Sequence, residues 1–129
     1  MRIVRDTRQR RAIRDALVSA GRPLSPDEVL AVAQRSVSGL GIATVYRTLK
    51  TLMAEGSVEA VELPGQIARY EMAGKDHHHH FHCKGCDQIF EVSGCLDGFR
   101  SLIPKGFQVT GHEFVLYGYC RPCRAEARG

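Results

Sequence analysis

His77-His78-His79-His80-Phe81-His82-Cys83-Lys84-Gly85-Cys86 places five imidazoles and two thiols within ten residues. Side chains of these types at this density are metal ligands, and a second Cys-x-x-Cys, Cys120-Arg121-Pro122-Cys123, follows near the C-terminal end. Two such pairs can deliver four thiolates to one tetrahedral zinc, a closed arrangement that is structural in character. The 33 residues between Cys86 and Cys120 exceed what a compact ribbon uses, so a sheet must bring the pairs together. Thiol redox chemistry would want a helix directly after a Cys-x-x-Cys, and neither pair shows a clear helix signal behind it. Cys95 is left over.

The histidines divide by parity. In an extended segment alternate side chains share a face, so His78 and His80 point one way while His77 and His79 point the other. One run can therefore feed two metal sites, each completed from Glu71, Glu91, Asp97, His112 or Glu113. Mixed imidazole and carboxylate ligands suit zinc, iron(II) or manganese(II) without choosing among them. His82 keeps the parity of His78 but adjoins Cys83, where the chain turns, and reads as a non-ligand. The tract is internal, interrupted by Phe81 and fused to Cys-x-x-Cys, which sets it apart from a purification tag.

The 129 residues suit one compact domain or two small ones, and small domains gain most from a structural metal. No apolar run approaches the roughly 20 residues of a spanning helix, and the start Met1-Arg2-Ile3-Val4-Arg5-Asp6 is charged, so a cytoplasmic protein without membrane contact is expected. Charge is unevenly placed. Residues 1–60 hold ten Arg or Lys against six Asp or Glu, residues 61–129 eight against eight, and every His and Cys lies after residue 76. A basic first half points to a polyanionic partner, and a ligand-rich second half to metal.

In the first half, Ile13, Ala16, Leu17 and Ala20 recur at helical spacing over residues 7–20, between a Thr7 cap and a Gly21 stop. Ser25-Pro26-Asp27-Glu28 opens a second helix: serine caps, proline occupies the first turn, and acids meet the positive end of the dipole. Val29, Leu30 and Ala33 form its apolar stripe, and it runs to about Ser36. A third helix over residues 43–55 buries Val45, Leu49, Leu52 and Met53 and ends at Gly56. Residues 57–63 and 67–72 read as a hairpin around Pro64-Gly65. Three helices and a hairpin are the layout of a winged helix-turn-helix. Beyond the histidines, strands are expected at 88–92, 107–109 and 113–119 and a short helix at 95–103. The fold class is α+β, with residues 1–73 and 77–129 as domains and 74–76 as hinge.

The third helix offers Thr44, Tyr46, Arg47, Thr48 and Lys50 on its polar face, a mix suited to bases and phosphates in a major groove. The Tyr46 ring could instead serve the core. Arg8, Arg10, Arg11 and Arg14 on the first helix would contact phosphate or form an ordinary solvated face.

The segments Gly41-Ile-Ala-Thr-Val-Tyr-Arg-Thr-Leu49, Arg69-Tyr-Glu71, the histidine run into Cys83-x-x-Cys86, Thr110-Gly-His112 and Leu116-Tyr-Gly-Tyr-Cys120-x-x-Cys123 together resemble the ferric uptake regulator superfamily. The resemblance implies a homodimer with an N-terminal winged helix and a C-terminal α/β dimerisation domain, repressing transcription when a divalent metal is bound. It implies structural Zn2+ on Cys83, Cys86, Cys120 and Cys123. Glu71, His78, His80 and Glu91 match the family's regulatory site, for Fe2+, Zn2+ or Mn2+. His77, His79 and His112 match a second site, with Asp97 a nearby, unaligned substitute for the usual glutamate. Tyr46 and Arg47 fall in the recognition helix, with Arg11, Thr44 and Lys50 as further DNA contacts. Two departures stand out. Pro23 occupies the place of a histidine that usually joins the regulatory site from the DNA-binding domain, and Cys95 is no general ligand of the family. Peroxide sensors of the family resemble one another in having Asp where this chain has Glu71, which argues against that branch.

The implied activity is control of metal homeostasis by operator binding, with double-stranded DNA and a second copy as partners and no small-molecule substrate. An enzyme is not expected: a hydrolase built on the histidines would lack a general base beside an open metal position. The other alternative is a zinc-stabilised metal-binding or storage module that does not regulate DNA.

Overall fold

A computed structural model describes residues 7–94 and 99–128. The chain divides into two compact units, Met1–Lys75 and Asp76–Gly129.

The first unit contains α1 (Thr7–Ala20), α2 (Pro26–Ala33), α3 (Ile42–Ala54), β1 (Val58–Val61) and β2 (Arg69–Met72). Its core is assembled from the helical stripes: Ile13, Ala16 and Leu17 of α1, Val29 and Ala33 of α2, and Val45, Leu49 and Leu52 of α3 are all buried, with Leu24 and Leu40 between them. Met53, expected in that stripe, is 40% exposed. It follows Leu52 by one position, about 100° around the helix, and so leaves the buried face. The α2 start is a complete capping box: Ser25 Oγ accepts from the Glu28 N–H at 3.2 Å, and the Glu28 carboxylate accepts from the Ser25 N–H at 2.9 Å. Ser25→Ala should lower the unfolding free energy by about 1 kcal/mol in chemical denaturation. At the end of α3, Gly56 adopts φ +81°, and the Ser57 N–H then reaches the Leu52 carbonyl at 2.9 Å. The expected Thr7 cap meets a helix whose described part already includes Thr7; its side chain lies outside the described residues.

β1 and β2 pair antiparallel with Val58 opposite Met72 and Val61 opposite Arg69. The strands are shorter than the expected 57–63 and 67–72, and Ile67 is 61% exposed. On β2, Tyr70 and Met72 pack on the helical core while Arg69 and Glu71, on the other face, are buried. The segment ahead of α2 joins this wing: the Leu24 N–H donates to the Tyr70 carbonyl at 2.9 Å, and the Tyr70 N–H to the Leu24 carbonyl at 2.8 Å. Helix α2 is thereby tied to the strand that carries Glu71. Pro23, buried beside that bridge, has no donor atom to offer a metal.

The second unit is a three-stranded sheet in the order β4-β3-β5, with β3 (His78–Cys83) central, β4 (Ile89–Ser93) antiparallel to it and β5 (Val115–Gly118) parallel to it. A 3-10 turn spans Phe99–Leu102, and α4 spans Arg121–Arg128. Three expectations change. Residues 107–109 form no strand, because nothing pairs with them among the described residues. Of the helix expected at 95–103, the described part is the 3-10 turn. Helix α4 was not expected: Cys123 sits in its first turn behind Pro122, a start signal masked by the metal motif. Among the described residues, Cys83 and Ile89 are the fully buried apolar side chains of this unit. So small a core does not hold a fold of this size alone.

Candidate metal centres

The four-thiol site is built from two turns. After β3 the chain reverses through Lys84-Gly85-Cys86, with the Asp87 N–H donating to the Cys83 carbonyl at 2.9 Å and Asp87 itself at φ +65°. His82 Nε2 donates to the Asp87 carboxylate at 2.6 Å, which pins the turn and leaves His82 outside every ligand cluster. The second pair approaches through β5 and α4, with the Lys84 N–H donating to the Gly118 carbonyl at 2.7 Å. A Cβ on Gly85 would lie 2.7 Å from Cys123 Cβ, so only glycine lets the two turns touch.

All four sulfurs lie within 4.8 Å of one another, and Cys86 Sγ is 3.9 Å from Cys120 Sγ. A tetrahedron with Zn–S bonds of 2.3 Å has S···S edges of about 3.8 Å, so the cluster has the dimensions of a zinc site. Its electrostatics agree. Burial pushes the Cys83 thiol up, but N–H donation from Cys120, Cys86 and Gly85 outweighs burial and brings it well below the ordinary thiol value. Cys123 is driven up, first by its hydrogen bond with Cys120 and then by burial, and Cys86 is raised by burial. The surroundings thus favour the thiolate at Cys83 and disfavour it at Cys86 and Cys123, and a bound dication would reverse the latter.

The histidine parity holds on β3. His78 and His80 share a face with ring centroids 4.9 Å apart. His78 Nδ1 donates to the Asp76 carbonyl at 2.8 Å, which sets the tautomer that turns Nε2 into a ligand atom. Glu91 stands opposite His80 in the β3–β4 register. Glu71 belongs to the first unit, on β2, where Lys75 lies 3.6 Å from its carboxylate.

On the opposite face, His77, His79 and His112 bring one ring nitrogen each within 4.8 Å of the others, and the Nε2 atoms of His77 and His79 are 3.0 Å apart. Zinc bonds of 2.0–2.1 Å to nitrogen imply N···N spacings near 3.3 Å in a tetrahedron, so these rings also fit an ion. His79 is stacked on Phe114 at 4.0 Å. Burial, then the neighbouring His77 and His112, lower its pKa and keep it in the neutral form a metal needs. Asp97 and Cys95 lie outside the described residues, and Glu113 is exposed and apart from the cluster.

In the first unit the polar face of α3 is open: Tyr46 is 55% exposed, which excludes a core role for its ring. Arg47 and Lys50 are exposed beside it, and Arg47 Nη2 donates to Thr44 Oγ1 at 3.1 Å. Arg11 is exposed on α1, whereas Arg10 pairs with Glu55 at the end of α3. That pairing removes Arg10 from the set of uncommitted phosphate contacts.

Helices that leave a cationic, hydroxyl-bearing face outward, followed by a sheet organised around candidate metal ligands, define a winged helix-turn-helix protein of the metal-binding class. A profile of the ferric uptake regulator family matches residues 2–117, and the chain belongs to that family. Regulators of this family are metal-responsive transcriptional repressors. The ferric uptake regulation protein of Campylobacter jejuni is 34% identical over 122 residues, 91% of this chain and 78% of that protein. The peroxide operon regulator of Bacillus subtilis is 30% identical over 124 residues, 93% of this chain and 84% of the relative. Among solved structures, the Helicobacter pylori ferric uptake regulator, described as having three functional metal binding sites, superposes with a TM-score of 0.70 at 27% identity, covering 90% of this chain and 79% of that one.

Proposed function

We propose that the protein is a metal-dependent transcriptional repressor that binds a pseudo-palindromic operator as a homodimer and controls metal homeostasis. Residues 1–73 form the DNA-binding domain, 74–76 the hinge and 77–129 the metal-binding dimerisation domain. The observation that carries this reading is β3, which presents imidazoles on both faces and runs directly into a zinc-sized thiol cluster.

Structural Zn2+ on Cys83, Cys86, Cys120 and Cys123 reinforces the small apolar core of the second unit. His78, His80, Glu91 and Glu71 hold the regulatory ion, Fe2+, Zn2+ or Mn2+. Glu71 is buried on a strand bonded through Tyr70 to Leu24, the residue before the α2 cap. Holding Glu71 therefore constrains α2 and, through it, the recognition helix α3. This link takes the place of the histidine that Pro23 replaces. Leu102, Phe107, Val109, Leu116, Tyr117 and Tyr119 are exposed on the second unit, apolar side chains of the kind that burial against a second copy would stabilise.

On DNA, Tyr46, Thr44 and Arg47 read base edges while Lys50 and Arg11 contact phosphates. Arg47→Ala should weaken binding to a duplex selected from a random pool by the metal-loaded protein by about 10- to 100-fold, with metal content unchanged. An unaltered affinity removes Arg47 from the interface. DNA affinity indifferent to metal supports the storage-module reading instead.

A further inference from the structure

We propose that Arg10 is a positioning residue for the recognition helix: by pairing with Glu55 it fixes the C-terminal end of α3, and with it the angle at which Thr44, Tyr46 and Arg47 meet base edges. This role rests on the DNA-binding reading given above. Arg10 Nη2 donates to the Glu55 carboxylate across 45 positions of sequence, joining α1 to α3. Glu55 is the C-cap of α3, where an acid meets the negative end of the helix dipole. Local helix chemistry therefore disfavours it, and its partner on α1 supplies the compensating charge.

The inner face of α3 is held by Val45, Leu49 and Leu52, and apolar burial is non-directional, so it resists withdrawal of the helix more than rotation about its axis. Directional bonds sit at the two ends. At the start, the side-chain amide of Gln34, the C-cap of α2, donates to the Leu40 carbonyl at 3.0 Å, just ahead of the Gly41 N-cap. At the finish stands the pair of Arg10 and Glu55. Thr44, Tyr46 and Arg47 lie between them. Both partners of the pair are 43% exposed, and ion pairs so exposed add little to fold stability. Their charge-assisted geometry is the larger contribution, because base readout depends on placing side chains at hydrogen-bond distance.

The test uses the full, metal-loaded chain, a duplex that it selects from a random pool, and a scrambled duplex of the same length. Glu55→Ala decides by sign. Removing an acid from a DNA-binding unit should tighten binding by charge alone. Loss of the pin should instead weaken binding to the selected duplex by about fivefold and leave the scrambled one unchanged. Arg10→Ala should act in the same way with the salt dependence unaltered, whereas Arg11→Ala, at a phosphate contact, should lower the slope of log K against log salt by about 0.9. The reversed pair, Arg10→Glu with Glu55→Arg, should recover affinity to within about twofold of wild type. Tighter or unchanged binding by Glu55→Ala overturns the proposal. So does an equal loss on both duplexes with Arg10→Ala, the mark of a phosphate contact. Wild-type protein that selects no duplex defeats the DNA-binding reading itself, and the proposal with it.

Discussion

Cys83→Ser is expected to release the zinc and, with it, the folded second unit and the dimer. Cys83 is the sulfur on which the cluster is centred: it is fully buried and accepts three backbone N–H groups. Zinc on a set of four ligands contributes on the order of 10 kcal/mol to small domains that fold around it. The apolar core of this unit supplies little by comparison. Serine is close in shape but stays protonated, so three thiols and a neutral hydroxyl remain, a set that no longer holds the ion. Zinc content and sedimentation should show a zinc-free monomer with the first unit still helical, and Cys86→Ser should act in the same direction. A full-strength dimer without zinc would remove the structural role.

The second large effect is expected at His80, which lies between His78 on its own strand and Glu91 across the sheet. His80→Ala should abolish the metal-dependent gain in DNA affinity while leaving zinc content and dimer intact. If metal favours the DNA-competent arrangement by about 100-fold, the coupling is about 2.7 kcal/mol, and removing a ligand from the ion that supplies it should erase nearly all of it. The wild-type and variant curves should then coincide in the presence of chelator and separate as metal is added. A variant that still responds by the full factor would place the regulatory ion elsewhere, with the His77 face the next candidate.

What could be read from the sequence follows from how local each signal is. The capping box at Ser25, the stripes of α1 and, apart from Met53, of α3, and the alternation of the histidines are set by residues a few positions apart, and each appears in the structure. Features that depend on distant contacts were read less well. The bridge between Leu24 and Tyr70, a contact across 46 positions, has no local signal in the sequence. Residues 107–109 carry strand-like composition but pair with no strand among the described residues. Helix α4 is hidden in the sequence because Cys120-x-x-Cys123 carries a metal-motif signal over the same residues in which Pro122 marks a helix start. Gly85 gave no sign in the sequence of lying against Cys123, since that contact exists only once the two pairs meet. The metal identity is illegible for a different reason: imidazole and carboxylate donors accept several divalent ions, and availability decides among them.

In the proposed mechanism an ion on the His78 and His80 face controls DNA binding separately from the zinc that holds the fold. The direct measurement is operator affinity titrated in turn with iron(II), manganese(II) and zinc(II), on protein whose four-thiol site is already filled. Affinity should rise about 100-fold with at least one of these ions, and a chelator that leaves the four-thiol zinc in place should reverse the rise. An affinity that stays constant through all three titrations would contradict it.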